Sequence, residues 1–249
     1  MVKQNILLVL IILFLSACST YKTIPYYQDL DRSKLSQEEI KNYQPAVIQA
    51  SDILGINVSS RTPEQSAIFN YTANNPQSNV SGYLVDSKGE VQLPLIGSLK
   101  VVGLTTNQLQ EKMNQLLTTF FKDPISNVRI LNFKVAVYGD VLKPDVYTVR
   151  DEKVSITQAL TLAGDLNITA LRKNVVLIRE EQGKRMFVPI DLTSKNLFQS
   201  EYYYLKNNDQ IYVQPGPTKY ASVDRGYRTW SLLIGALSVI TIVASTLIK

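Results

Sequence analysis

Residues 229–248 are twenty consecutive residues without a charge, closed off by Arg225 and Arg228 before and Lys249 after. Coiled as a helix at 1.5 Å per residue, such a run reaches about 30 Å, the thickness of a hydrocarbon core. Trp230 stands at its start, where an aromatic ring suits a membrane interface. At 100° per residue, Ser231, Gly235, Ser238, Thr241, Ser245 and Thr246 fall within an arc of about 140°. Ile234 and Ile242 share that arc, and from residue 231 on the opposite side is wholly Leu, Ile, Val and Ala. Small residues at this spacing let membrane helices approach closely, or line a wet lumen between several copies. Three readings fit the run: a helix seam in an oligomer, a plain membrane anchor, or a buried helix of a soluble body.

The other end of the chain is also apolar. Lys3 gives a positive start, residues 6–15 are uninterrupted apolar sequence, and small residues follow. The apolar part is too short for a comfortable span, so residues 1–17 read as a secretory signal peptide. Leu15-Ser16-Ala17-Cys18 resembles the bacterial lipobox, which implies a diacylated Cys18 as the mature N-terminus. Acyl chains contribute roughly 0.8 kcal/mol per buried methylene, so two or three make a firm anchor. Ser19 follows the cysteine, where an Asp would favour the inner membrane. The resemblance therefore implies the outer membrane, with the body of the protein in the periplasm.

Between these ends the composition is that of a folded protein, 45% hydrophobic and 19% charged. There is no histidine, and Cys18 is the only cysteine. That excludes Ser–His–Asp and Cys–His catalysis, His-ligated metal and Cys-rich metal sites. Asp140, Asp145, Asp151 and Glu152 cluster in sequence but around expected strand ends, where solvated charge is the plain explanation. No catalytic residue, metal ligand or cofactor is assigned. The 26 Lys and Arg residues against 21 acidic ones form no dense basic block, so nucleic acid is not an expected partner.

Residues 18–48 read as a lipidated linker, with a short helix possible near 36–43. Residues 49–131 form the first expected domain: a strand at 53–58, a hairpin of 82–85 with 90–93 around Asp86-Ser87-Lys88-Gly89, and a short strand at 99–102. Thr105 and Gln108 make a capping box, with Leu104 and Leu109 as its staple. The helix behind it carries Leu109, Met113, Leu116, Leu117 and Phe120 on one face and stops before Pro124. Residues 132–216 form the second expected domain. Strands at 133–139 and 146–149 precede a helix at 156–163, capped by Ser155 and Gln158 and stopped by Gly164. Strands at 174–179, 185–191 and 210–214 complete a mixed sheet that suits a β-grasp module. The expected class is α+β, with the 217–249 segment as linker and transmembrane helix.

The stretch 82–97, GYLVDSKGEVQLPLIG, resembles the signature of the Wza-type polysaccharide export family. The likeness runs on through Val101-Val102-Gly103-Leu104-Thr105 to Asp123-Pro124. Val135 through Tyr138-Gly139-Asp140-Val141 to Pro144 resembles the opening of that family's soluble-ligand-binding β-grasp (SLBB) domain. Gln158-Ala159-Leu160-Thr161-Leu162-Ala163-Gly164 and residues 205–213, LKNNDQIYV, resemble its later parts. Two family glycines are replaced: Ala50-Ser51-Asp52 stands for Pro-Gly-Asp, and Pro144-Asp145 for Pro-Gly. The resemblance implies a homo-oligomeric outer-membrane conduit for capsular or exopolysaccharide, working with an inner-membrane polysaccharide co-polymerase. A non-channel lipoprotein that holds glycan or an envelope partner is the alternative. Tyr26-Tyr27 and Tyr202-Tyr203-Tyr204 could stack on sugar, although tyrosine is also a good strand residue.

Overall fold

The computed structural model describes residues 24–70, 82–181, 183–220 and 225–247. The expected signal peptide and Cys18 lie outside the described residues. The protein is mixed α and β, with two hydrophobic cores formed by different parts of the chain.

The first core is built on β1 (Ile53–Ser59), whose alternate residues Leu54, Ile56 and Val58 point inward. β1 pairs antiparallel with β2 (Tyr83–Leu84) on one side and with β5 (Ile125–Ile130) on the other. β3 (Glu90–Leu93) and β4 (Gly97–Lys100) form a separate two-stranded hairpin. This corrects the expected pairing of 82–85 with 90–93. Asp86 does make a turn, accepting the backbone N–H groups of Lys88 and Glu90. That turn carries the chain from one sheet to another, while the true hairpin bends at Leu95 and Gly97, both with positive φ.

A short helix α1 (Pro63–Ser66) and a 3-10 turn (Ala67–Phe69) follow β1 and bury Phe69. The capped helix is α2 (Thr106–Leu117); its box is complete, Thr105 Oγ1 accepting from Gln108 N and Gln108 Oε1 from Thr105 N. Leu109, Met113 and Leu117 are fully buried against the sheet, worth about 1.5–3 kcal/mol each. Two residues assigned to that face are not on it, since Leu116 is 37% and Phe120 45% exposed. The helix ends at Leu117, so Phe120 is past it and Phe121 turns inward instead, edge-on to Phe69.

The second core lies under one five-stranded sheet of order β7-β6-β10-β8-β9. β6 (Lys134–Gly139) and β7 (Asp145–Thr148) are antiparallel, and α3 (Ile156–Leu162) crosses to β8 (Ala170–Glu181) and β9 (Lys184–Ile190). β10 (Gln210–Pro215) enters the middle, parallel to β6 and antiparallel to β8. Ser155 and Gln158 close the second capping box, and Gly164 takes φ +76 at the helix stop. Inward-facing Val135, Val137, Val175, Leu177, Ile211 and Val213 meet Ile156, Ala159 and Leu160 of α3. Gly139 fits here because it has no side chain: its φ is +100, and a Cβ would lie 2.1 Å from the Val213 carbonyl oxygen.

The segment read as a linker is docked. No helix forms at 36–43. Instead Tyr27 N and Gln28 N donate to the carbonyls of Leu192 and Thr193, and Asp29 accepts from Lys195 N and Ser194 Oγ. Asn42 donates to the carbonyls of Phe198 and Ser200, and Ile48 N then reaches Leu104 O in the first unit.

After α4 (Pro217–Tyr220) comes α5 (Arg225–Leu247), 23 residues long. Among the described residues no helix is long and apolar enough to cross a membrane. The expected transmembrane helix is corrected to a long terminal helix on these grounds.

Candidate functional site

The two units are pinned together by motif residues from both. Asp52 is 2% exposed; its carboxylate accepts from Gln49 N at 2.8 Å and from Asn207 Nδ2 at 2.7 Å. Burial pushes this carboxyl above the usual range, and the two donors only partly offset it. Asn132 donates to Ser51 O and accepts from Ile53 N, while Asn207 Oδ1 accepts from Lys134 N. Ser51 stands where the family glycine is missing, and it adopts φ +72 all the same. At Asp145 the other lost glycine is not compensated in that way: the residue opens β7 as ordinary strand.

Two grooves open along the second unit, and the smaller also takes part of its wall from the first. The larger, about 520 Å³, is lined by the 41–47 segment and by Lys153, Arg179, Tyr204 and Lys206 among others. Its cations are paired within the protein. Lys153 Nζ sits 4.3 Å from the Tyr43 ring centroid and 4.6 Å from that of Tyr204, which are edge-on to each other. Arg179 makes two bonds to buried Asp209, at 2.9 and 2.7 Å, and a third to Tyr204 O. Lys206 pairs with Glu181 at 3.0 Å. The smaller groove, about 420 Å³, shares Ala46, Glu152 and Lys153 with the first and is otherwise lined by α2, β5, Phe133 and the 150–151 loop.

The segments around Tyr26 and Lys219 are fastened at one corner of the second unit. Tyr26 donates its hydroxyl to Asp165, and Lys219 pairs with Asp140. The two carboxylates belong to neighbouring loops joined by the Val141–Leu166 bridge and by Asn167 N donating to Asp140 O. Asp140 is fully buried. Burial pushes its carboxyl up, but Lys219, Thr169 at 2.6 Å and Asn167 at 2.9 Å outweigh this and hold it below the ordinary value. Tyr26 is shifted upward by burial and by the Asp165 carboxylate.

The tyrosines proposed for sugar stacking are largely consumed by packing. Tyr26 and Tyr27 pack on the second core, Tyr27 against Phe198; Tyr203 meets Phe198 and Tyr204 edge-on. Asp140, Asp145, Asp151 and Glu152 do not assemble into a paired-carboxylate site: Asp140 binds Lys219, and Glu152 accepts from Thr106 at 2.9 Å. Among the described residues no His, Cys, Asp and Glu cluster could hold a metal. On α5, Trp230 is 69% exposed; Ser231, Gly235 and Ser238 are also exposed, Ser238 Oγ donating to Gly235 O at 2.7 Å. The side chains of Thr241 and Ser245 lie outside the described residues.

Residues 41–131 match the family described as polysaccharide biosynthesis/export protein. The EPS I polysaccharide export outer membrane protein EpsA of Ralstonia solanacearum is 33% identical over 94 residues, 36% of this chain and 25% of that protein. Its counterpart in Ralstonia nicotianae is 34% identical over the same share of each chain. The matched stretch thus spans about a quarter of those relatives' length.

Proposed function

We propose that this chain, a polysaccharide-export family protein through its residues 41–131, is an outer-membrane lipoprotein that passes capsular or exopolysaccharide out of the cell as a homo-oligomer. The match of that stretch to export proteins is the observation that carries the reading. The relatives are named outer membrane proteins, which supports the same location here. The order β7-β6-β10-β8-β9 with one crossing helix supports a β-grasp, SLBB-type reading of 132–216.

In this reading Cys18 carries lipid, and α5 is a terminal helix that carries Trp230 and the small-residue face. The two attachments leave from one corner, through Tyr26–Asp165 and Lys219–Asp140. A single helix encloses no pore, so transport calls for several copies around an axis. Ser231, Gly235, Ser238, Thr241 and Ser245 are then the face turned to neighbouring helices or to the lumen. The inner-membrane partner is a polysaccharide co-polymerase. No catalytic role is assigned to any residue.

The test is surface polysaccharide in cells lacking the chain, joined to the size of the detergent-purified protein. Loss of the coat together with a closed ring of copies is the expected result. A normal coat would overturn the export reading. A monomer whose deletion still strips the coat would favour the non-channel scaffold. Cys18→Ala should abolish labelling with radioactive fatty acid, and unlabelled wild-type protein would remove the anchor from the reading.

A further inference from the structure

The smaller groove takes its wall from both units and gathers a set of unengaged polar side chains. Asn107 and Gln110 are three apart on one face of α2, and Asn127 and Arg129 alternate outward from β5 while Ser126 and Val128 point in. Arg150 and Asp151 complete the wall from the second unit. Among the described residues, none of these six side chains makes a hydrogen bond or ion pair with the protein. Their neighbours are spoken for: Glu152 accepts from Thr106, and Lys153 lies over two rings. The unengaged charges are therefore Arg129 and Arg150 against Asp151. The one aromatic in the lining, Phe133, is 3% exposed, so recognition there rests on hydrogen bonds and charge rather than stacking.

We propose that this groove binds a stretch of acidic polysaccharide. The inference rests on the export reading and names the contact surface and the sugar class it lacks. Each amide presents a donor and an acceptor side by side, matching vicinal hydroxyls. Each guanidinium presents a planar fork that takes a carboxylate by two parallel bonds. Asp151 accepts from a hydroxyl. Because the wall comes from both units, the junction held by Asp52 and Asn207 fixes the spacing of the two arginines.

The test uses the full chain in detergent, titrated calorimetrically with sized fragments of the polysaccharide secreted by the producing cell. The same fragments with carboxylates reduced to alcohols form the second probe. Arg129→Ala and Arg150→Ala should each weaken binding about tenfold, and Asn107→Ala about threefold, from the usual strength of charged and neutral hydrogen bonds. Arg129→Lys should recover part of the loss, and Lys41→Ala in the larger groove should bind as the parent does. Reduced fragments should bind as weakly as the double arginine variant, and binding of native fragments should fall with added salt. All six positions are at the surface, and unchanged melting temperatures check that the variants fold. Three results would overturn the proposal: no binding by the parent, equal binding by the double variant, or equal binding of reduced fragments. Should the double variant keep its affinity but change its oligomeric size, the groove is a contact between copies and the proposal fails. The export reading fails separately, if cells without the chain keep their coat. A coat lost on deletion but retained with a double variant that binds normally sinks the groove alone.

Discussion

The two units bury their carboxylates in opposite ways. In the first, Asp52 meets only neutral donors, Gln49 N and Asn207 Nδ2, and burial raises its carboxyl. In the second, Asp209 holds Arg179 and Asp140 holds Lys219, both acids fully or almost fully buried. A neutral pin is enough to set two units side by side. An ion pair costs more to desolvate but is costly to break from one side, which suits the places where the sheet is closed and the chain ends are tied. The second unit thus holds its buried acids by ion pairs, and the first is joined to it through hydrogen bonds of ordinary strength.

Unfolding of the full chain in detergent can sharpen or break this contrast. The largest effect is expected at Gly139. A Cβ there would strike the Val213 backbone, so Gly139→Ala should cost more than about 4 kcal/mol, in the exceptional range for one substitution. Gly97 of the first unit has nearly the same backbone geometry, φ +81, but nothing within 4 Å of an added Cβ. Gly97→Ala should cost only about 1–2 kcal/mol, the left-handed penalty alone. Equal losses at the two sites would mean that the β6–β10 approach is not the rigid element described.

Next comes Asp209→Ala, which strands a buried guanidinium and should cost about 3–5 kcal/mol. A change below about 1 kcal/mol would show that water reaches Arg179 and that the closure of the sheet is looser.

The third effect is read from acid. Asp140 has a folded-state value below that of an unfolded carboxylate, about 3.9, so its contribution is full above roughly pH 4. It is lost as pH falls through the depressed folded value. Asp52 works the other way: its raised value favours the fold at low pH and that contribution is lost as pH rises through it. Between pH 5 and 3, Asp140→Asn should flatten the acid loss of stability, whereas Asp52→Asn should steepen it. Parallel shifts in melting temperature for both variants would refute the opposite signs.

The smallest effect is at Ser51. Glycine would relieve a left-handed strain of about 1 kcal/mol, but it returns about 0.4–1 kcal/mol of chain entropy to the unfolded state. Ser51→Gly should therefore change stability by less than about 1 kcal/mol. A large gain would mean that the serine strains the junction more than its backbone angle implies.

Much of the candidate site was hidden from a linear reading for a physical reason. Asn107, Gln110, Asn127 and Arg129 look like solvated faces, and only the packing of α2 on β5 against the 150–151 loop makes them one wall. β5 itself escaped notice because its inward residues include Ser126, whose hydroxyl is satisfied by Gln110 O and Asn114 Oδ1. That polar inward position breaks the apolar alternation that marks a strand. The junction was half legible: Asp52 and Asn207 both stood in motif segments, but nothing in a linear chain says that residues 155 apart touch. The tyrosine runs were visible and their stacking on one another was not.

What the sequence by itself determined lies within a few residues of each signal. Thr105 and Gln108, like Ser155 and Gln158, satisfy helix-end N–H groups locally, so both helices begin where the residues say. Gly164 takes its left-handed stop, and Val135, Val137, Val175, Ile211 and Val213 face one core because alternation needs no distant partner. The tertiary structure alone decided which strand lies beside which. Residues 83–84 join β1 rather than the strand after their own turn, and 24–47 lies along the second unit rather than hanging free. The first choice depends on Ile53 and Leu54 of β1, and the second on backbone and carboxylate partners more than a hundred residues away, Leu192, Thr193 and Asp165 among them. Local capping energies cannot anticipate such partners, because loop closure and burial settle them only once both cores have formed.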